Sequence, residues 1–405
     1  MKKKRLYILA PNDRFNYGDL LFPYVLTHYL KDSVDSIVYC STSKSNLSIL
    51  GGYPTEDFHV LYHLDENYDN YLIVAGGECL LVRWTIIISF ISSKYRNFLV
   101  NAHRLRLYKI FGEDLINRMM DFLVLLGYKT KTKFPFTVGK NELPGFVDIL
   151  YNAVGGSWFK GREDLINDEE TLELLKSVTY ISVRDQVTSD ALNNYSIENT
   201  LTPDSVILLS KIFSPRDIYA KTSRAIYGFD VNSKYIFFEV NEMVYQSYKE
   251  AIIKQLHKII NDGYTIVLCP IGTALGHRDD LALNELYKII GSRNSFVVSN
   301  PSIWDIMWLI VNSNIYIGIS LHGAITAMSY GVPFLSYIVE KPKAYISCWY
   351  KDGLNSHFCD DVSQIYEKLN LALSIKYEVI EQLKLAEESM NKMKNVINTN
   401  QYLIS

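Results

Sequence analysis

Short apolar segments alternate with longer amphipathic segments along most of the chain. Arg5–Pro11 is the first apolar run, and helical spacing of apolar residues in Asp19–Leu30 predicts a helix after it, with Asp19 as its cap. Further strands are predicted at Ser36–Ser41, Tyr71–Ala75, Asn152–Val154, Tyr180–Val183, Tyr235–Val240, Tyr264–Cys269, Phe296–Ser299, Ile315–Ser320 and Phe334–Val339. Strands that alternate with helices are typical of βαβ units and a parallel sheet, so the pattern predicts an α/β fold.

The second half of this pattern begins after Pro203-Asp204. Helices are predicted at Ser247–Asn261, from Ser302 onward, at Gly323–Tyr330 and in the tail between 361 and 398. Ser302 and Asp305 have the spacing of a capping box. With 405 residues, the chain is long enough for two or three domains, and we expect a boundary near 205–233. We therefore assign an N-terminal domain to 1–205 and a C-terminal domain to 206–405.

The segment Leu81–Lys140 interrupts the first half. It has no clear strand pattern and is predicted to be helical. It contains 11 basic residues against three acidic ones and carries a charge of +8, whereas the rest of the chain has 30 basic against 41 acidic residues and carries −11. The overall charge of −3 argues against a dedicated nucleic-acid binder, but it conceals this basic insert.

Composition and the cysteines narrow the class of protein. With 48% hydrophobic and 21% charged residues the chain is expected to be globular. Five scattered cysteines without a Cys-x-x-Cys motif favour free thiols in a reducing cytoplasm. The basic start, Met1–Arg5, is followed by too short an apolar run for a signal peptide and is interpreted as the lead-in to a first strand.

Four glycine-containing turns follow predicted strands or begin predicted helices. In open α/β sheets, ligands bind at the carboxyl ends of strands, and amides at helix starts suit a phosphate or carboxylate. Each glycine alone is better explained by a tight turn, but four such turns in one chain favour a ligand site. Neither Gly-x-Gly-x-x-Gly nor a Walker loop is present, which disfavours a dinucleotide or ATP enzyme. The turns are Asn16-Tyr-Gly18-Asp19, Ala75-Gly76-Gly77-Glu78, Val154-Gly155-Gly156-Ser157 and Ile319-Ser320-Leu321-His322-Gly323.

Several polar residues at these positions are candidates for chemistry. His322 is expected at a strand-to-helix turn, where an imidazole could transfer protons, or could simply cap or pack against the helix. Arg184 could bind a carboxylate or phosphate, or pair with Asp185. Asp204 is expected in a turn or as a cap, with a catalytic role as the alternative. The segment from Gly276 to Asp280 is interpreted as a polar loop at the cleft, because one histidine beside two aspartates is weak evidence for a metal site.

Together these residues resemble the polysaccharide pyruvyl transferase family. The resemblance runs in order through about residues 5–340, and the segment from Leu321 to Gly323 is its most specific part. Its elements are Asn16-x-Gly18-Asp19, Gly76-Gly77, Gly155-Gly156, Arg184-Asp185-x-x-x-Ser189, Pro203-Asp204, Ser320–Ala327 and Gly331-x-Pro333.

This resemblance implies two Rossmann-like domains facing across a cleft, as in GT-B glycosyltransferases. It also implies transfer of pyruvate from phosphoenolpyruvate, the donor substrate, to a sugar of a bacterial surface-polysaccharide intermediate, with no cofactor or metal. His322 would be the catalytic or donor-binding histidine and Arg184 its partner. Lys341 or Arg278 could add positive charge for the donor. Asp185, Asp19 and Asp204 remain alternatives for the general base.

The chain departs from the family pattern at two positions. Ser320 stands where many members have arginine, and Glu78 stands where the first glycine cluster often has a third glycine. The loss of an arginine removes a charge-assisted contact to a polyanionic donor. The alternative functions are a GT-B glycosyltransferase using a nucleotide sugar and a membrane-associated scaffold that has lost activity at Ser320.

The insert suggests a location for the enzyme. Its cations alternate with aromatic residues, a composition that suits an anionic membrane surface and equally a helical hairpin packed on the first domain or an oligomer contact. We expect a cytoplasmic protein with no nucleic-acid partner. The insert allows peripheral association with the inner face of the membrane. The aromatic residues among these cations include Trp84, Phe90, Tyr95, Phe98, Tyr108, Phe111, Phe122 and Tyr128.

Overall fold

A computed structural model describes residues 2–100, 106, 109–110, 112–156, 166, 168–375 and 378–399. Of the residues named above, Ser157, Tyr108, Phe111 and the side chain of Phe98 lie outside the described part.

The first domain is built on a seven-stranded parallel sheet in the order β3-β2-β1-β4-β5-β6-β7. Tyr71–Ala75 and the strand from Asp148 are apolar and buried because helices cover both faces of a parallel sheet. The strands are β1 (Lys3–Leu9), β2 (Ser36–Ser41), β3 (Glu56–Asp57), β4 (Tyr68–Ala75), β5 (Asp148–Val154), β6 (Tyr180–Val183) and β7 (Thr200–Leu201).

The second domain repeats this arrangement with six parallel strands in the order β10-β9-β8-β11-β12-β13. In both sheets the strand order reverses beside the first strand, so each sheet has a crevice at the carboxyl ends of two adjacent strands, β1 and β4 or β8 and β11. These strands are β8 (Tyr235–Phe238), β9 (Thr265–Leu268), β10 (Ser295–Val297), β11 (Ile315–Gly318), β12 (Phe334–Tyr337) and β13 (Phe358–Cys359).

Helices connect these strands and cover the sheets. In chain order they are α1 (Tyr17–Leu30), α2 (Trp84–Ile91), α3 (Ser93–Val100), α4 (Glu113–Tyr128), α5 (Glu169–Lys176), α6 (Gln186–Asn193), α7 (Leu209–Ile212), α8 (Pro215–Tyr219), α9 (Glu242–Asn261), α10 (Asp279–Ile290), α11 (Ile303–Val311), α12 (Leu321–Ser329), α13 (Glu340–Trp349), α14 (Gly353–His357), α15 (Ile365–Ser374) and α16 (Ile380–Thr399).

The α/β prediction is confirmed, with differences in detail. The capping box is present: the Ser302 hydroxyl accepts from the Asp305 amide, and the Asp305 carboxylate accepts from the Ser302 amide. The start of α1 was predicted wrongly. Its N-cap is Asn16, and Asp19 lies inside the first turn, where its carboxylate faces the positive end of the helix.

The domains share one apolar core. Side chains of α1 pack with residues of the second domain such as Tyr316 and Ala324. The last helix, α16, contacts α1, although it follows the second sheet in sequence. Lys4 Nζ donates to the carbonyl of Ile397, and the hydroxyls of Tyr180 and Ser389 lie 3.1 Å apart. The C-terminal helix therefore ties the second half of the chain back to the first sheet.

The described part of the basic insert contains three helices, α2, α3 and α4, as predicted, whereas residues 129–140 after α4 are not helical. Trp84 is buried and its indole N–H donates to the carbonyl of Thr132. No described helix combines the length and apolar character needed to cross a membrane.

Candidate active site

The glycine turns lie where the two domains meet. Gly76 and Gly77 follow β4, Gly155 follows β5, and the Gly155 amide donates to the Gly77 carbonyl at 2.7 Å. Gly18, in the first turn of α1, lies directly against the imidazole of His322, and a Cβ atom there would overlap the ring. Glycine at this position allows the first-domain helix to approach the second-domain histidine.

The first turn of α1 is also bonded to the second domain. The Tyr17 amide donates to the Ile271 carbonyl at 3.0 Å, and Asn16 forms a β-bridge with Gly272. The Tyr17 hydroxyl lies 2.9 Å from that of Thr326, one helical turn after His322. These contacts hold Asn16, Gly18 and Asp19 at the interdomain cleft.

Arg184, at the end of β6, is enclosed by two carboxylates. Its guanidinium donates to Asp204 Oδ2 at 2.9 Å and to Glu78 Oε1 at 3.0 Å, and its side chain is 3% exposed. Burial lowers the pKa of Arg184, but the charges of Asp204 and Glu78 outweigh this effect and raise it. Arg184 thus remains a cation whose charge is already matched within the protein.

His322, at the start of α12, reaches the same carboxylate from the other domain. Its Nε2 atom lies 3.3 Å from Asp204 Oδ2, and its ring packs edge-on against Phe22. Burial would raise the pKa of Asp204, but His322 and Arg184 hold that pKa below its ordinary value. Asp204 is therefore a buried anion on which the two family-motif residues converge.

The three aspartates considered as bases have different surroundings. Asp185 caps α6, because its Oδ1 accepts from the amide and hydroxyl of Thr188, and burial raises its pKa. Asp204 Oδ1 accepts from the Val206 amide. Asp19 has no hydrogen bond among the described residues, is 7% exposed, and has a pKa raised by burial against the opposing charges of Arg14 and His322.

A residue that the sequence analysis missed, Glu239, supports the His322 turn. It follows β8, is buried, and its Oε2 accepts from the amides of Ile319 and Ser320, both at 3.0 Å. The Tyr316 hydroxyl also donates to this oxygen. Burial raises the pKa of Glu239 to about 7. The only sequence signal was a charged residue directly after a buried strand.

Some amides expected to bind a ligand already have partners. Those of Ile319 and Ser320 bind Glu239, the Gly323 amide donates to the Ser320 hydroxyl, and the Gly156 amide donates to the Thr188 hydroxyl. Ser320 therefore acts as the N-cap of α12. Leu321 is buried and contributes to the interdomain core.

Three cations surround His277 at the edge of the cleft. Burial lowers the pKa of His277 to about 4, and the charges of Lys341, Arg14 and Arg96 contribute in the same direction. Phe90 of the insert stacks on His277 with ring centroids 6.0 Å apart, and the Arg14 guanidinium lies 5.7 Å from the Phe90 ring. We call Arg14, Arg96 and Lys341 the cationic rim.

The loop that contains His277 is polar and lies at the cleft, as predicted. Asp279 Oδ2 accepts from the amides of Ile271 and Gly272, while Arg278 pairs with Asp280 at 3.4 Å. No cluster of metal-ligating side chains occurs within the described residues. Lys341 was expected from the sequence as a possible donor contact, whereas neither Arg14 nor Arg96 was singled out.

Comparison with known proteins identifies the family. A family model described as polysaccharide pyruvyl transferase matches residues 16–340, which is most of the chain. The chain therefore belongs to the polysaccharide pyruvyl transferase family. No curated protein matches the sequence.

Solved structures show the same architecture at low sequence identity. UDP-GlcNAc 2-epimerase from Methanocaldococcus jannaschii has a TM-score of 0.55 and 11% identity, covering 96% of this chain and 99% of that one. MnaA of S. aureus, in a co-structure with UDP, has a TM-score of 0.54 and 12% identity over 98% and 97%. A glycosyltransferase from Rickettsia africae has a TM-score of 0.50 and 11% identity over 99% and 100%. The two Rossmann-like domains therefore form a GT-B-type fold.

Proposed function

We propose that this chain transfers a pyruvyl group from phosphoenolpyruvate to two hydroxyls of a sugar in a bacterial surface-polysaccharide intermediate, forming a ketal. One observation carries the proposal: His322 and Arg184, which match family motifs in different domains, both lie within 3.3 Å of Asp204 Oδ2. The match of residues 16–340 to a pyruvyl transferase model supports the reaction class.

The cationic rim is suited to hold the donor. Phosphoenolpyruvate carries a carboxylate and a phosphate, and both need cationic partners. Arg184 is already bound to two carboxylates, Glu78 and Asp204, whereas Arg14 has one carboxylate partner, Asp13, at 2.7 Å. The rim cations act on His277 and two of them, Arg14 and Lys341, also act on Asp19, so they lie close to the proposed chemistry. We assign donor binding to the rim and the positioning of Asp204 to Arg184.

The reaction requires one acid and one base. Asp19 takes the proton of the first sugar hydroxyl, whose oxygen then bonds to C2 of the donor. His322 gives a proton to C3, which becomes a methyl group. The second hydroxyl attacks C2, and phosphate leaves with the electron pair of the C2–O bond. Of the two hydroxyl protons, one replaces the proton that His322 gave to C3, and the other neutralises the departing phosphate.

Asp19 fits the role of base better than the other two aspartates. Burial raises its pKa, which makes its carboxylate a stronger base, and its oxygens have no hydrogen-bond donor within the described residues. Asp204 has a lowered pKa, and Asp185 is held as a helix cap. Asp204 instead stabilises the protonated imidazole of His322.

Phosphate release from phosphoenolpyruvate, measured with a panel of lipid-linked and nitrophenyl sugars, tests the proposal. We expect release that depends on the acceptor, and a product whose mass corresponds to a pyruvyl ketal. His322→Ala should abolish it, whereas His63→Ala, at an exposed position in the first domain, should not. Full transfer by His322→Ala would refute the assignment.

Thermal stabilisation by ligands separates the alternatives. Binding to the native state raises the melting temperature. We expect phosphoenolpyruvate to stabilise the protein in a way that Arg96→Gln weakens. Stabilisation by a nucleotide sugar alone would favour a glycosyltransferase, and the absence of stabilisation by either donor would favour an inactive scaffold.

A further inference from the structure

Helix α4 exposes an apolar stripe to solvent. Leu115, Met119, Phe122, Leu123 and Leu126 are each between 50% and 60% exposed. Their spacing of three and four residues places them on one side of the helix. We call these five residues the α4 stripe. Exposed apolar patches of this kind mark surfaces that bind another molecule or a membrane.

The opposite side of α4 already has its partners. Ile116, Met120 and Val124 are buried, and α4 contacts α2. Asp121 pairs with Arg83 of the insert at 3.3 Å. The helix is thus attached to the first domain by one face, and the α4 stripe is not needed for that attachment.

Exposed cations lie on both sides of the stripe in sequence. Arg106 and Lys109 precede α4, and Lys129 and Lys131 follow it; all four are exposed. Lys129 ends the helix in a left-handed conformation. An apolar face flanked by lysine and arginine is the arrangement with which interfacial helices bind anionic lipid.

The charge distribution argues against a second copy of the chain as the occupant. In a symmetric dimer the same surface meets itself. Two inserts, each carrying +8 in sequence, would then face each other and repel. An anionic lipid surface complements this charge and accepts the apolar stripe.

We propose that the α4 stripe and its flanking cations dock the protein on the surface of an anionic lipid bilayer. The stripe enters the boundary between head groups and acyl chains, and the cations contact the lipid phosphates. The inference goes beyond the proposed function, because docking does not require any residue of the cleft.

Co-sedimentation of the full chain with vesicles tests the docking. Vesicles of phosphatidylcholine are compared with vesicles of phosphatidylcholine mixed with phosphatidylglycerol, and we expect binding to the second. Because each cation near such a surface contributes about fivefold to binding, Lys129→Gln with Lys131→Gln should weaken it by about 25-fold. Lys254→Gln with Lys351→Gln, exposed positions in the second domain, should leave it unchanged.

Substitution of the stripe tests the apolar contribution. Phe122→Ser with Leu126→Ser should reduce vesicle binding at least about tenfold, because two apolar side chains no longer enter the lipid. Met243→Ser with Leu371→Ser replaces exposed apolar residues of the second domain and should not. All four variants should keep the wild-type melting temperature and phosphate release with a soluble acceptor, which separates failure of docking from failure of the proposed function.

Three results would overturn the proposal. One is the absence of binding to the anionic vesicles. Another is equal binding to both kinds of vesicle, which would exclude a charge contribution. The third is a dimer in sedimentation velocity that Phe122→Ser with Leu126→Ser dissociates, which would make the stripe a contact between copies.

Discussion

The two walls of the interdomain cleft neutralise buried charge by different means. In the first domain, Arg184 is matched by the side chains of Glu78 and Asp204. In the second, Glu239 is matched mainly by the backbone amides of Ile319 and Ser320. Both charges lie at the carboxyl ends of strands: Glu239 follows β8, where the strand order of the second sheet reverses, and Arg184 follows β6, two strands from β4 in the first sheet.

This difference determines how each wall can respond to a ligand. A side-chain carboxylate beside Arg184 can be replaced by substitution, which changes the charge available to a donor. The amides at residues 319 and 320 belong to the turn before α12, so Glu239 holds the main chain that carries His322. The first wall is therefore adjustable in charge, and the second fixes geometry.

The largest effect is expected from Asp204→Asn. The change leaves Arg184 buried with one carboxylate and removes the anion beside His322. Loss of one partner from a buried ion pair costs about 3–5 kcal/mol, which chemical denaturation measures.

Asp360→Asn is the matched control for Asp204. Its exposed pair with Lys343 is worth at most about 1 kcal/mol. If Asp204→Asn destabilised the protein no more than Asp360→Asn, the first wall would not depend on this carboxylate.

Glu239→Gln tests the second wall through its pH dependence. The folded-state pKa of Glu239 is raised to about 7 from 4.5, so the folded state holds a proton that the unfolded state releases between these values. The wild type therefore loses stability as pH rises from 4.5 through 7, by up to about 3 kcal/mol from this group. Glutamine keeps an oxygen for the amides but cannot ionise, so the variant should lose less stability over this range.

Other ionisable groups lie around Glu239, so the pH dependence of the variant is compared with that of the wild type and of a control variant. Burial raises the pKa of Asp279 and the charge of Glu239 acts in the same direction, while the hydroxyls of Tyr316 and Tyr337 donate to Glu239. Melting temperatures of wild type, Glu239→Gln and the exposed control Glu381→Gln should be followed together. Parallel curves for all three would contradict a raised pKa at Glu239.

The sequence pattern predicted the strands well where several apolar residues follow one another. Ser36–Ser41 and Tyr180–Val183 were predicted with the observed bounds, although only the last two residues of the first of these strands are fully buried. Glu56–Asp57, Thr200–Leu201 and Phe358–Cys359 were missed. Each is a two-residue strand, which is too short to show any periodicity.

The sequence predicted where the site residues lie relative to the strands, but not which residues they contact. The motifs indicated that Arg184 and His322 lie at strand ends, yet the approach of both to Asp204 depends on how the two domains meet. The role of Glu239 depends on β8 lying beside β11, a contact between segments about 80 residues apart in sequence. Such pairings are properties of the tertiary structure and leave no local pattern.

Arg96→Gln tests the cationic rim, which belongs to neither wall of the cleft. If the cationic rim binds the donor, the KM for phosphoenolpyruvate should rise about tenfold, corresponding to one charge-assisted hydrogen bond, with little change in kcat. Lys94→Gln, an exposed position on the same helix, serves as the control. An unchanged KM would place the donor elsewhere, and a loss of stability would identify Arg96 as structural.

The smallest effect is expected from Glu78→Gln, which changes only the charge of the first wall. Glutamine can still accept a hydrogen bond from Arg184 Nη2, so the packing around Gly155 is preserved while one negative charge disappears. A polyanionic donor should then be repelled less, and its KM should fall. The decrease should be only about threefold, because Glu78 lies farther from the donor than the rim cations do and repulsion weakens with distance. Glu56→Gln, an exposed partner of Lys44, controls for a general change in charge. A higher KM after Glu78→Gln would mean that Arg184 orients the donor only when both carboxylates hold it, and the first wall would then fix geometry as the second does.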